Sequence, residues 1–182
     1  MRQDEYQKLA QRTDSTGRFK DAKRMNAVLG LLGECGEVID VIKKWLFQSG
    51  DGAALPEDKL IEEIGDVLWY LAAYAEAEDL MLGQIIKDPV WSGENGAGLY
   101  SALDRKYVFL HACSLMITAI QITDDFTFMG KISMDSIARV LSWFANLARV
   151  SLEECAERNI AKLRKRYPDG FDPERSLNRD FE

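Results

Sequence analysis

Histidine is nearly absent from this chain: His111 is the only one in 182 residues. Di-iron bundles built on Glu-x-x-His, and most zinc centres, need more imidazole or thiolate than this chain offers. His111 has apolar neighbours and is expected to be hydrogen-bonded locally on its helix, not to act as a ligand. Cysteine is scarce too. Cys35, Cys113 and Cys155 form an odd set of three with no CxxC spacing. That argues against a disulfide framework and for reduced thiols in the cytoplasm. Four prolines and no long polar tract leave little scope for disorder away from the ends. Long apolar runs are missing as well. The longest, Tyr107 to Ile120, is interrupted by His111, Ser114 and Thr118, too short and too polar to span a bilayer. The opening stretch MRQDEYQKLA has no apolar h-region, so no signal peptide is expected.

What is present is a helical chain with an acidic balance. The hydrophobic fraction of 47% supports a core, and the net charge of −7 disfavours binding to nucleic acid through its phosphates. The charge is uneven. Arg158, Lys162, Arg164, Lys165, Arg166, Arg175 and Arg179 gather near the C-terminus. Such a cluster suits a small phosphorylated ligand, or is simply a solvated helix face.

Strand-like alternation is nearly absent, and the apolar period is helical. The spacing predicts helices over about Asp4–Arg12, Asp21–Gln48, Pro56–Ile86, Ser101–Ile122 and Ser133–Tyr167, with Ser133 as an N-cap and the stretch from Lys87 to Gly98 as a loop. The expected architecture is all-α: one domain built as a bundle of two antiparallel helical hairpins. An acidic hairpin covers about 21–86, a second covers about 101–167, and a tail covers 168–182. The hairpins align with each other when Trp69 is set over Trp143. Glu34, Glu37, Glu63 and Asp66 then fall opposite Ala112, Leu115, Ile137 and Val140. The second hairpin reads as a degenerate tandem copy that lost its acids.

Those four acids are the chemical signal. Glu34 and Glu37 lie three residues apart beside the stripe Leu31, Cys35, Val38 and Ile42, and Glu63 and Asp66 repeat the spacing beside Leu60, Ile64, Val67 and Leu71. A short connection makes the two helices antiparallel neighbours, which brings the pairs towards one region. Four clustered acids need a counter-charge. Lysines can supply it, and Lys44 falls near the Glu37 side; a divalent cation does it better. With oxygen donors only, Mg²⁺ is favoured, with Mn²⁺ as a substitute. Ordinary surface acids would show the same spacing. Gly30, Gly33, Gly36 and Gly65 also sit inside helices, where each costs ~1 kcal/mol relative to Ala. They point to a close ligand approach or to a tight helix crossing.

The segments GLLGECGEVIDVIKKWL and LIEEIGDVLWYLAAYA, followed by the tail NIAKLRKRYPDGF, resemble the MazG-like all-α nucleoside triphosphate pyrophosphohydrolases, relatives of the dimeric dUTPases. The family pattern EExxE…ExxD falls on Glu34, Glu37, Glu63 and Asp66, while its first acid falls on Gly33. A second departure is that the whole second hairpin separates Asp66 from Asn159. The resemblance implies Mg²⁺-dependent cleavage of a nucleoside triphosphate between the α and β phosphates, giving a monophosphate and pyrophosphate. It implies Glu34, Glu37, Glu63 and Asp66 as metal ligands, with Glu37 or Glu34 acting on the attacking water. Lys44, Asn159, Lys162 and Arg166 become contacts to nucleotide or phosphate. The expected partners are the nucleotide and a second copy of the chain, with no nucleic acid and no membrane. The alternative is a catalytically inactive helical module that binds nucleotide or protein.

Overall fold

The computed structural model describes residues 1–17, 19–50, 52–94, 105–122 and 128–177. Among these there is no strand. The elements are α1 (Gln3–Ala10), a 3-10 turn (Gln11–Thr13), α2 (Lys20–Phe47), α3 (Glu57–Ala77), α4 (Leu82–Ile85), α5 (Asp88–Trp91), α6 (Arg105–Gln121), α7 (Phe128–Leu147), α8 (Leu152–Arg166) and α9 (Pro173–Leu177). No described helix is long and apolar enough to cross a membrane.

The long helices pair as two hairpins, α2 with α3 and α6 with α7. Packing of α2 on α6 and of α3 on α7 closes a four-helix bundle, and α8 and α1 lie against the outer side of α3. On α2 the stripe Ala27, Leu31, Cys35, Val38 and Ile42 is buried, and on α3 Leu60, Ile64, Val67, Leu68 and Leu71 answer it, the spacing of one helical face. α6 is apolar on both sides. Val108, Ala112, Leu115 and Ala119 are buried, while Phe109, Leu110, Ile117 and Ile120 are exposed.

Several boundaries differ from the sequence expectation for local reasons. α3 stops at Ala77 because Asp79 turns left-handed at φ 55° and Leu80 N–H reaches back to the Ala75 carbonyl at 2.9 Å, a Schellman-type stop. α7 ends the same way: Arg149 has φ 59° and Val150 N–H bonds the Ala145 carbonyl at 3.0 Å. The stretch from Ser133 to Tyr167 is therefore two helices. Ser133 is buried inside α7, and the N-cap is Ser151, whose Oγ accepts from Glu154 N–H at 3.1 Å. Part of the expected loop after Lys87 folds as α5. Residues 95–98 of that loop and the expected helix start at Ser101 lie outside the described residues.

The common stop also gives a structural register between the hairpins. Buried Ile64, Val67, Leu71, Tyr74 and Ala75 match buried Met134, Ile137, Leu141, Phe144 and Ala145. This register is one turn away from the pairing of Trp69 with Trp143. Glu63 and Asp66 then correspond to Ser133 and Ser136. Likewise Leu31, Cys35 and Val38 match Val108, Ala112 and Leu115, which sets Glu34 over His111. The local role expected of His111 is the one observed: its Nδ1 lies 2.8 Å from the Tyr107 carbonyl, and its ring stacks on Trp143 at 3.9 Å.

Candidate metal centre

Glu34 comes from the middle of α2, Glu63 and Asp66 from α3, and Asn159, Lys162 and Arg166 from α8. Close approach of α8 to α3 depends on Gly65. A Cβ there would stand 2.9 Å from Asn159 Cβ and 3.3 Å from the Cys155 carbonyl oxygen. Gly65 is therefore the tight crossing, and it sets Asn159 beside Asp66. Gly30 plays a similar part on α2. A Cβ there would meet the Tyr70 ring at 2.0 Å, whereas Gly33 and Gly36 have nothing within 4 Å.

The fold brings Glu34, Glu63 and Asp66 together, with one carboxylate oxygen of each within 4.8 Å of the others. Glu63 is buried and Glu34 and Asp66 are half-buried. Two of the three have counter-charges. Lys59 Nζ lies 2.5 Å from Glu63 Oε1. Lys162 Nζ lies 2.6 Å from both Asp66 oxygens, and Asn159 Nδ2–H donates to Asp66 Oδ1 at 2.9 Å. Glu34 has no hydrogen bond or ion pair among the described residues. Burial, reinforced by the Asp66 and Glu63 charges, pushes its carboxyl up from 4.5 to about 7.

This donor set suits a hard cation. All three ligands are carboxylates, and opposite oxygens around an octahedral Mg²⁺ stand ~4.2 Å apart, so small side-chain rotations close the set. A cation would also supply the charge that Glu34 lacks. No histidine or cysteine joins the group of three among the described residues. Glu37 does not join it either: it lies on the exposed side of α2 one turn beyond Glu34. Lys44 is exposed and holds Asp40 Oδ2 at 2.6 Å.

Glu34 and Asp66 open onto a cavity of about 250 Å³. Lys162 and Arg166 line it with the rings of Trp69, Tyr70, Tyr167 and Phe171 and the polar Thr13, Ser15, Asn26 and Ser176. Trp69 is locked in place: its Nε1–H donates to the Ala10 carbonyl and to Thr13 Oγ1, each at 3.0 Å. Among the described residues, the lining comes from the segment after α1, from α2 and α3, and from α8 and the tail, and none comes from α6 or α7. The described part of the second hairpin thus supports the bundle without walling this cavity.

Sequence reasoning missed Tyr6. It is fully buried, and its hydroxyl donates to Asn159 Oδ1 at 3.1 Å. The chain Tyr6–Asn159–Asp66 orients the carboxylate from the protein interior. Only the apolar period of α1 hinted that Tyr6 faces inward.

Residues 23–88 match the MazG nucleotide pyrophosphohydrolase domain family. They hold most of α2 and all of α3, and with them Glu34, Glu37, Glu63 and Asp66. The chain is 39% identical to the Gene 37 protein of Mycobacterium phage L5 over 59 residues, 31% of this chain and 51% of that relative. It thus spans about half the length of the curated relative it matches. No solved structure matches the chain.

Proposed function

We propose that this chain, MazG-like over residues 23–88, hydrolyses a nucleoside triphosphate between the α and β phosphates and releases a monophosphate and pyrophosphate. One observation carries the proposal: the three-carboxylate cluster opens onto a cavity whose other walls offer two cations and four aromatic rings. Glu34, Glu63 and Asp66 would hold Mg²⁺, or Mn²⁺ in its place. The bound ion would polarise the phosphoryl oxygens and offset developing charge. Lys162 and Arg166 stand where they can meet the phosphate chain. Of the two acids expected to act on the attacking water, Glu34 lines the cavity and is the group proposed to orient that water and take its proton, whereas Glu37 stands exposed and outside the cluster. The water oxygen bonds to the α phosphorus, the bond from that phosphorus to the bridging oxygen breaks, and pyrophosphate leaves with the electron pair. Asn159 acts through Asp66, holding that carboxylate in place.

The second hairpin is proposed as a copy of the first in which serines, Ser133 and Ser136, stand where the acids Glu63 and Asp66 stand. Exposed Met25 and Leu29 on α2 and the exposed face of α6 suit a homodimer, which sedimentation at micromolar concentration tests. The proposed setting is the cytoplasmic nucleotide pool.

A panel of ribo- and deoxyribonucleoside triphosphates, with Mg²⁺ or with chelator, tests the reaction. Monophosphate plus pyrophosphate, lost with chelator and lost in a folded Glu63→Gln variant, is the expected result. Diphosphate plus phosphate would reject cleavage between α and β. No product from any triphosphate would favour the inactive binding module.

A further inference from the structure

We infer that Lys162 is a resident counter-ion that occupies the cation's place on Asp66 and must leave before a divalent ion binds. This rests on the assignment of the three carboxylates as a cation site. The ammonium sits 2.6 Å from both Asp66 oxygens at once, the two-oxygen side of the carboxylate. Asn159 already occupies a further lone pair of Oδ1 at 2.9 Å. An Mg²⁺ ion ~2.1 Å from an Asp66 oxygen would stand no more than ~4.7 Å from an ammonium 2.6 Å from that same oxygen. Two cations at that separation in a half-buried pocket repel strongly. The lysine and the metal are therefore alternatives.

The surroundings give Lys162 two places to go. It lies on the wall shared by two cavities. One is the cavity containing Glu34, Asp66 and Arg166. The other, of about 200 Å³, is lined by Asp58, Ile61, Glu62, Arg158 and Asn159 with Lys162 itself. On that second side Glu62 Oε1 is already 3.5 Å from Nζ, but Glu62 is also paired with Lys59 at 3.5 Å. A phosphate chain in the first cavity is the stronger attractor. The same ammonium then neutralises Asp66 when the site is empty and meets phosphate when it is full. Metal and triphosphate consequently help each other to bind, and by linkage the help is reciprocal.

The test uses Mn²⁺ as the probe, with no nucleotide present and free ion read by electron paramagnetic resonance. Chelator-stripped wild type is compared with Lys162→Met and Lys162→Gln, whose folding is checked by thermal melting. Both variants should bind Mn²⁺ at least ~10-fold more tightly than wild type. Unchanged or weaker binding in folded variants would overturn the inference. Wild type alone gives an independent readout. Acylation of Lys162, mapped by mass spectrometry, should rise when Mn²⁺ is added, and equal labelling with and without Mn²⁺ would overturn the displacement. If neither wild type nor either variant binds millimolar Mn²⁺, the cation site itself is refuted, an outcome distinct from the other two.

Discussion

Metal-free protein should lose stability as the pH rises from 4.5 to about 7, and Glu34 should be the cause. Its carboxyl is raised from 4.5 to about 7 by burial, with the Asp66 and Glu63 charges adding to the effect. Between those values the unfolded chain has released the proton and the folded chain still holds it. Stability therefore falls with rising pH across that window and levels off above it. At ~1.4 kcal/mol per pH unit, a rise from 4.5 to about 7 sets an upper bound of ~3 kcal/mol. Glu34 keeps contact with solvent, so screening lowers this to ~1–2 kcal/mol. Urea denaturation in chelator at pH 5 and pH 8 measures the loss. Glu34→Gln should remove most of that pH dependence and be the more stable protein at pH 8. Adding Mg²⁺ to wild type should reverse the slope, because the ion binds only the ionised carboxylates. A Glu34→Gln variant with the wild-type pH dependence would refute the electrostatic account of this cluster.

Other perturbations probe the parts that hold the site. Gly65→Ala sets a Cβ 2.9 Å from Asn159 Cβ and 3.3 Å from a backbone oxygen, so the α3–α8 crossing must open; melting should show a loss of ~1–3 kcal/mol, with weaker Mn²⁺ binding. Tyr6→Phe leaves the buried Asn159 Oδ1 without its donor and should cost ~1–2 kcal/mol in denaturant titrations. Gly30→Ala drives the Tyr70 ring, which a Cβ would meet at 2.0 Å, off the cavity wall; its nucleotide affinity should fall more than its melting temperature, as paired calorimetry and melting would measure.

The helices and their inward stripes were legible in the chain because both follow from local period. The pairing of Glu63 with Asp66 was legible for the same reason, since residues three apart are neighbours on a helix; the same spacing joins Glu34 to Glu37, yet only Glu34 reaches the cluster. Stops without glycine were not legible. Arg149 takes left-handed backbone that its side chain does not advertise, and Asp79, of a type that tolerates it, is one aspartate among many, so neither marks a stop in the amino-acid sequence. Burial matches the two hairpins one turn away from the pairing of Trp69 with Trp143, because the inward positions are held by the residues around the tryptophans.

By itself the amino-acid sequence determined an all-helical chain with two acidic pairs, a basic last long helix and a hard-ion donor set. These are properties of residue type and of separations within one helix. Only the tertiary structure decided which acids meet: Glu34 turns inward to Glu63 and Asp66, while Glu37, one turn further on, stays exposed. It alone docked α1 and the turn after it so that Tyr6 meets Asn159 and Thr13 holds the Trp69 ring, and set Lys162 on Asp66 across 96 positions of chain. Contacts at that sequence separation depend on how helices cross, and the crossings depend on where a glycine such as Gly65 lets two backbones approach.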